Sequence, residues 1–354
     1  MINVHNLKMI DISIIIPVYN GEKWINTCMR SVMVQSILKT NLKVEISVFN
    51  DGSNDGTKKL LEDWAEHFNS IGVNFILTNS QISRGVGAAK NGAIRSSIGN
   101  FLCFQDIDDI MHENRMLLQW EAANSNPNAL IGSQISRIPT YSTPRFVHWA
   151  NSISPMQQKL QIYTSNGPTL LMPTWFCHRS IFERVGGFDE SGHGTPEDLI
   201  FFYKHLDLGG DVHRIDEELV IYRYHEESTT FSIQRKIIQE IQLRRLEKCV
   251  FPYWTSFTVW NAGKSGRRFI RSLSQITRDK VIAFCDVDKN KIGHSVELYC
   301  PVKRKVLKSL PVVHFKDAKL PLLICVKLDF TNGEFEKNLR SLNIIEGIDY
   351  ILFS

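Results

Sequence analysis

The stretch Asp11-Ile12-Ser13-Ile14-Ile15-Ile16-Pro17-Val18-Tyr19-Asn20 decides the fold. Its β-branched residues Ile12, Ile14, Ile15, Ile16 and Val18 hardly alternate with polar ones. A strand with one wet face would alternate with a period of two, so this run predicts a central strand covered on both faces, with Pro17 ending it.

Outward from that strand, helical and strand patterns take turns. Glu22 to Gln35 carries Trp24, Ile25, Cys28, Met29 and Val32 at helical spacing, and Val44 to Phe49 is a second buried-strand pattern. Asp55 to Phe68 predicts a helix capped by Asp55, with Leu60, Leu61, Trp64 and Phe68 on one face. A strand at Val73 to Leu77, a helix at Gly87 to Arg95, a strand at Asn100 to Phe104, a helix at Glu113 to Ala123 and a strand at Ala129 to Ser133 continue the alternation. This is the pattern of a wound α/β sheet.

Past an irregular middle, Pro139 to Thr174, the loop Gly186-Gly187-Phe188-Asp189 leads to a helix opened by Pro196-Glu197-Asp198 and running to His205. A strand at Leu219 to Tyr224 and an amphipathic helix around Ile233 to Leu246 follow. Composition shifts at Pro252 to Thr255, so we read residues 1 to 254 as one larger domain and 255 to 354 as a smaller Rossmann-like α/β domain. Strands at Val281 to Asp286 and Leu322 to Val326, with helices near Gly266 to Leu273 and Glu334 to Ser341, mark the latter. Its opening, Trp260-Asn261-Ala262-Gly263-Lys264-Ser265-Gly266-Arg267, resembles a dinucleotide fingerprint in which Asn261 replaces the first glycine.

The 354 residues, 43% of them apolar, suffice for a large core. No apolar run approaches the roughly 20 residues of a membrane span, and Met1 to Ile10 lacks the features of a signal peptide, so a cytoplasmic address is expected, with no membrane and no obligate protein partner. Seven widely spaced cysteines without a Cys-x-x-Cys pair suggest neither a disulfide framework nor a zinc site. The net charge of +4 is uneven: residues 255 to 354 hold 17 basic against 10 acidic residues, and residues 1 to 254 hold 24 against 27. A basic module of this kind attracts phosphates or is simply a solvated face.

In wound sheets ligands sit at the carboxyl ends of the strands. Those ends carry Pro17-Val18-Tyr19-Asn20, Asn50-Asp51-Gly52-Ser53 and Gln105-Asp106-Ile107-Asp108-Asp109. Three carboxylates within four positions repel one another unless a cation offsets them, and hard oxygen ligands suit Mn2+ or Mg2+. An isolated pair of this kind would read equally well as a solvated acidic turn, and Asp109 as a cap of the following helix.

The stretch Asp11 to Asn20, then Phe49-Asn50-Asp51-Gly52-Ser53-Asn54-Asp55-Gly56-Thr57, Arg84-Gly85 with Ala88-Ala89-Lys90-Asn91, and the Asp106 to Asp109 cluster together resemble the family 2 glycosyltransferases of GT-A fold, in order and in spacing. The resemblance implies a UDP-sugar donor. It sets Pro17 and Tyr19 against the uracil, Asp51 on its N3–H, Arg84 and Lys90 on the nucleotide and diphosphate, and Asp106 at the ribose or a metal-bound water. It makes Asp108 and His225 metal ligands, Asp198 the general base of an inverting transfer, and Glu197 and Trp175 acceptor-side residues.

A narrower resemblance runs through Thr164 to Thr169, Met172 to Cys177, Pro196 to Tyr203 and Trp260 to Arg268. It points to members of that family once labelled β-1,3-N-acetylglucosaminyltransferase-like, which add galactose from UDP-galactose to queuosine in the anticodon of tyrosine tRNA. That implies a tRNA partner, for which Arg267, Arg268, Lys303, Arg304 and Lys305 are candidate contacts. Competing readings are N-acetylglucosamine transfer to a glycan, a non-catalytic nucleotide-sugar binder, and an NAD-dependent enzyme using the Asn261 turn. The last lacks a glycine and, on the sequence, a clear acidic ribose ligand.

Overall fold

The computed structural model describes residues 10–300 and 304–354, in two compact units. The first, comprising residues up to Pro155 and Pro168–Ile238, is built on β1 (Ile12–Val18). All seven residues of β1 are buried, as its unbroken apolar run predicts. It pairs in parallel with β2 (Val44–Asn50) and β4 (Phe101–Phe104), so Ile12 stands between Val44 and Phe101.

With β3 (Asn74–Asn79), β5 (Ile110–Met111), β6 (Ala129–Ile138), β7 (Phe176–His178) and β8 (Asp211–Arg223), these form an eight-stranded sheet of order β3-β2-β1-β4-β7-β6-β8-β5. The run β3-β2-β1-β4 is parallel, and β7 and β5 are antiparallel insertions. Helices Ile25–Met33 and Thr57–Ser70 pack Met29, Val32, Leu61 and Phe68 onto Ile14, Ile16, Ile46 and Val48. The N-cap of the second helix is Gly56 and not Asp55, which sits one residue earlier and accepts the Thr57 amide on Oδ1 at 3.0 Å. Asp109 caps nothing: the next helix begins at Arg115, after β5 intervenes.

The second unit comprises Met156–Gly167 and Gln239–Ser354. Its boundary therefore differs from a cut at 254/255. Gln242 donates to the Thr164 carbonyl at 2.9 Å and Arg245 to the Tyr163 hydroxyl at 2.6 Å, which ties the helical residues after 238 to the 156–167 segment. The sheet consists of β9 (Phe257–Trp260), β10 (Val281–Asp286), β11 (Ser295–Cys300), β12 (Lys305–His314), β13 (Leu322–Ile324) and β14 (Tyr350–Leu352), in the order β11-β12-β10-β9-β13-β14. Five of the six run parallel, a doubly wound arrangement around Trp260, Cys285, Leu322 and Ile324.

An acidic residue, Asp286, does end the second parallel strand, where the sequence alone showed no clear candidate. Its oxygens are taken by the amides of Ala262, Val287 and Asp288 and by Lys291, so it does not present a free ribose-binding carboxylate.

Candidate active site

The carboxyl ends of β1, β2 and β4 open into a cavity of about 880 Å³ lined by Pro17, Tyr19, Asp51, Lys90, Asp106, Asp108, Glu197, Asp198 and His225, among others. Six chain segments far apart in sequence meet there, three of them because the parallel strands β1, β2 and β4 deliver their exits to one edge.

At one end Asp51 is held by the 83–85 turn that follows β3. Its carboxylate accepts the Ser83 hydroxyl at 2.7 Å and the amides of Arg84 and Gly85 at 3.0 and 2.9 Å. Gly52 permits this: it has φ +74°, and a Cβ there would lie 2.8 Å from the Ile82 backbone. Tyr19 is half exposed on the wall of the cavity. His193, which the sequence reading did not single out, faces it with ring centroids 6.5 Å apart and lies 3.2 Å from Ser83 Oγ. The available signal was its place between Gly192 and Gly194, which have φ +98° and +80°.

In the middle, Asp106, Asp108 and Asp109 present oxygens within 4.8 Å of one another. His225 Nε2 is 2.8 Å from Asp108 Oδ2, and its ring packs on Trp24. Asp109 accepts the Arg223 amide at 2.8 Å through Oδ1, whereas Oδ2 is buried with no hydrogen-bond partner. Burial, then the neighbouring carboxylates, push the Asp109 carboxyl well above the usual range, and burial, opposed by Lys90, pushes Asp106 up to about 6. Converging hard oxygens with an orphaned buried lone pair fit a divalent cation.

At the far end, Lys90 and Glu197 form an ion pair of 2.7 Å with side chains 2% and 7% exposed. Burial opposes the charge on Lys90, but the carboxylates of Glu197, Asp106 and Asp198 together outweigh it and hold Lys90 above its ordinary value. Next to the pair, Asp198 lines the cavity with Oδ1 accepting the Leu199 amide at 2.6 Å. Burial, then Glu197, push its carboxyl up to about 6, a range suited to a base near neutral pH.

Some expected roles change. Arg84 contributes its backbone amide to Asp51, while its side chain pairs with Glu190 at 2.9 Å and does not line the cavity. Glu197 is committed to Lys90 rather than offered to an acceptor. Trp175 is fully buried, its Nε1 donating to the Leu170 carbonyl and its ring packed among Phe104, Phe188, Phe201 and Phe202, so it is core. In the second unit Arg268, Arg304 and Lys305 are exposed, Arg267 folds its Nε back onto the Ala262 carbonyl, and Lys303 lies outside the described residues.

Residues 13–186 match the model of glycosyl transferase family 2. The chain carries a family 2 glycosyltransferase domain. A glycosyltransferase of Bacillus subtilis, EpsJ, is 27% identical over 226 residues, 62% of each chain. The chondroitin synthase of Escherichia coli is 37% identical over 108 residues, 30% of this chain and 14% of that one. The chain thus spans less than two thirds of the length of these curated relatives. Among solved structures, Staphylococcus aureus TarS in complex with UDP-GlcNAc superposes with a TM-score of 0.55 at 17% identity, covering 77% of this chain and 84% of that one. A Pyrobaculum calidifontis mannosyltransferase in complex with GDP-Man and Mn2+ superposes at 0.50, with 17% identity and 63% and 59% coverage. At such identities the likeness establishes the fold, GT-A. No helix among the described residues is long and apolar enough to cross a membrane.

Proposed function

We propose that the chain is an inverting UDP-sugar hexosyltransferase in which Asp198 is the base. The observation that carries this is one cavity lined in sequence by Asp51, the Asp106–Asp108 pair and Asp198. Asp51 accepts the single imide proton of uracil, which cytosine lacks, and Tyr19 offers its ring to the base. A divalent ion, Mn2+ or Mg2+, held chiefly by Asp108 and His225, with Asp106 and Asp109 flanking them, would supply positive charge to the diphosphate. Asp198 takes the proton of the acceptor hydroxyl as that oxygen attacks the anomeric carbon. The new C–O bond forms as the bond to UDP breaks on the opposite face, UDP leaves with the electron pair, and the configuration inverts.

For the donor and acceptor we propose galactose from UDP-galactose and queuosine in the anticodon of tyrosine tRNA, met in the cytoplasm. The resemblance over Thr164 to Thr169, Met172 to Cys177 and Trp260 to Arg268 supports this, as does the excess of 17 basic over 10 acidic residues in 255 to 354. A second reading, transfer of N-acetylglucosamine to a polymer or glycan, draws on the relative named poly(ribitol-phosphate) β-N-acetylglucosaminyltransferase, 32% identical over 108 residues.

Incubation with queuosine-containing tyrosine tRNA, or with free glycans, and each of UDP-galactose, UDP-glucose and UDP-N-acetylglucosamine separates them. A hexose mass gain on the nucleoside with UDP-galactose is expected. Its absence, with a glycan labelled instead, overturns the tRNA reading and leaves the transferase standing.

A further inference from the structure

Under the carboxylate cluster lies a cation that the mechanism above does not use. Arg115, at the start of the helix Arg115–Ser125, is fully buried. Its guanidinium donates to Gln119 Oε1 at 2.9 Å, Gln105 Oε1 at 2.8 Å, the Phe104 carbonyl at 2.7 Å and the Pro173 carbonyl at 2.8 Å. All four acceptors are neutral. A buried charge without a bonded counter-ion costs several kcal/mol, and a fold that only needed packing there would use an apolar residue.

The four bonds reach both walls of the cavity. Gln105, held by Arg115, donates through Nε2 to the carbonyls of Asp106 and Asp109 at 2.8 and 3.0 Å, spanning the turn that carries the cluster. Gln119 donates to the Thr174 carbonyl at 2.7 Å, and Pro173, bonded directly to Arg115, lines the cavity beside Met172. One rigid planar fork therefore grips the 105–109 turn and the Met172–Thr174 segment at once.

We propose that Arg115 is a positioning residue that, through Gln105 and Gln119, sets the Asp106–Asp109 turn in register with the Met172–Thr174 wall. This rests on the reading of that cluster as a cation site. Groups that hold metal ligands from behind commonly change metal affinity by about 10- to 100-fold when removed.

The test is direct Mn2+ binding, followed by electron paramagnetic resonance of the full chain without donor, with near-ultraviolet circular dichroism as the check on folding. Wild type should bind Mn2+ and Asp108→Ala should not; if wild type binds none, the cation site itself is refuted. Gln105→Met removes the bridge to the turn and leaves Arg115 in place, and should weaken Mn2+ binding about 10-fold. Arg115→Met should weaken it at least as much, and Arg115→Lys, which keeps a donor and loses the fork, should fall between. Gln119→Leu, which frees the Met172–Thr174 wall but not the 105–109 turn, should leave Mn2+ affinity unchanged, a split from Gln105→Met that general loosening of the core would not produce. If Arg115→Met fails to fold, Gln105→Met decides. Mn2+ affinity within twofold of wild type in a folded Gln105→Met protein overturns the inference while the cation site stands.

Discussion

Lys90 Nζ lies 2.7 Å from Glu197 Oε1, and the two residues, 107 positions apart, are both buried. The pair joins the helix Val86–Ser96 to the helix Glu197–Asp207, and so ties the donor side of the cavity to the segment carrying Asp198. Its stability contribution is small compared with the cost of breaking it, because either partner left alone is a desolvated charge.

Lys90→Met should therefore destabilise the chain by about 3 to 5 kcal/mol, and adding Glu197→Leu should restore most of that loss. Urea denaturation of the single and double variants measures both. A double variant as unstable as the single one would mean that Lys90 acts through something other than Glu197.

Asp198→Asn should lower turnover by about 100- to 10,000-fold and leave UDP binding intact. Burial pushes the Asp198 carboxyl up to about 6, so in wild type the base is charged above that pH and protonated below it. Turnover should be flat near pH 7 and fall roughly tenfold per unit below pH 6. A pH–rate profile flat to pH 5 would remove Asp198 from the role of base.

Within the cluster, Asp108→Asn should cost far more metal-dependent activity than Asp109→Asn. Asp108 faces His225 at 2.8 Å on the cavity wall, whereas Asp109 is buried and uses Oδ1 on the Arg223 amide, a bond an asparagine Oδ1 would keep. Activity titrated with Mn2+ for each variant decides. Equal losses would give Asp109 a ligand's share.

Much of this site was legible because strand-end loops are local: Asp51, Asp106, Asp108 and Asp198 each follow a recognisable strand or open a recognisable helix, and all line one cavity. What failed to show was pairing at a distance. Nothing near Glu197 in sequence announces Lys90, and nothing near Arg84 shows that its amide serves Asp51 while its guanidinium serves Glu190. Trp175 follows Pro173-Thr174 and looks like a wall residue until four phenylalanines enclose it. The strand Phe176–His178 is too short, and β11 and β12 too polar, for apolar periodicity to mark them.

Gly52→Ala should weaken UDP binding without touching metal affinity. The added methyl meets the Ile82 backbone at 2.8 Å in a left-handed conformation, costing about 1 to 3 kcal/mol, and the relief available is to push the 82–85 turn off Asp51. Calorimetry with UDP and with Mn2+ separates the two effects.

The acceptor can be tested without catalysis. Phosphate contacts release counter-ions, so tRNA affinity should fall with salt, with a slope in log–log form of about 0.7 to 0.9 per contact. Arg268, Arg304 and Lys305 are exposed on the second unit, and Arg267, although bonded to the Ala262 carbonyl, shares the helix Lys264–Ser272 with Arg268. Reversing Arg267, Arg268, Arg304 and Lys305 to glutamate should weaken tRNA binding and flatten that slope while leaving UDP binding to the first unit unchanged. Filter binding at a series of salt concentrations gives the slope directly. An unaltered slope would remove these residues from the tRNA interface, and a wild-type slope near zero would argue against a nucleic-acid acceptor altogether.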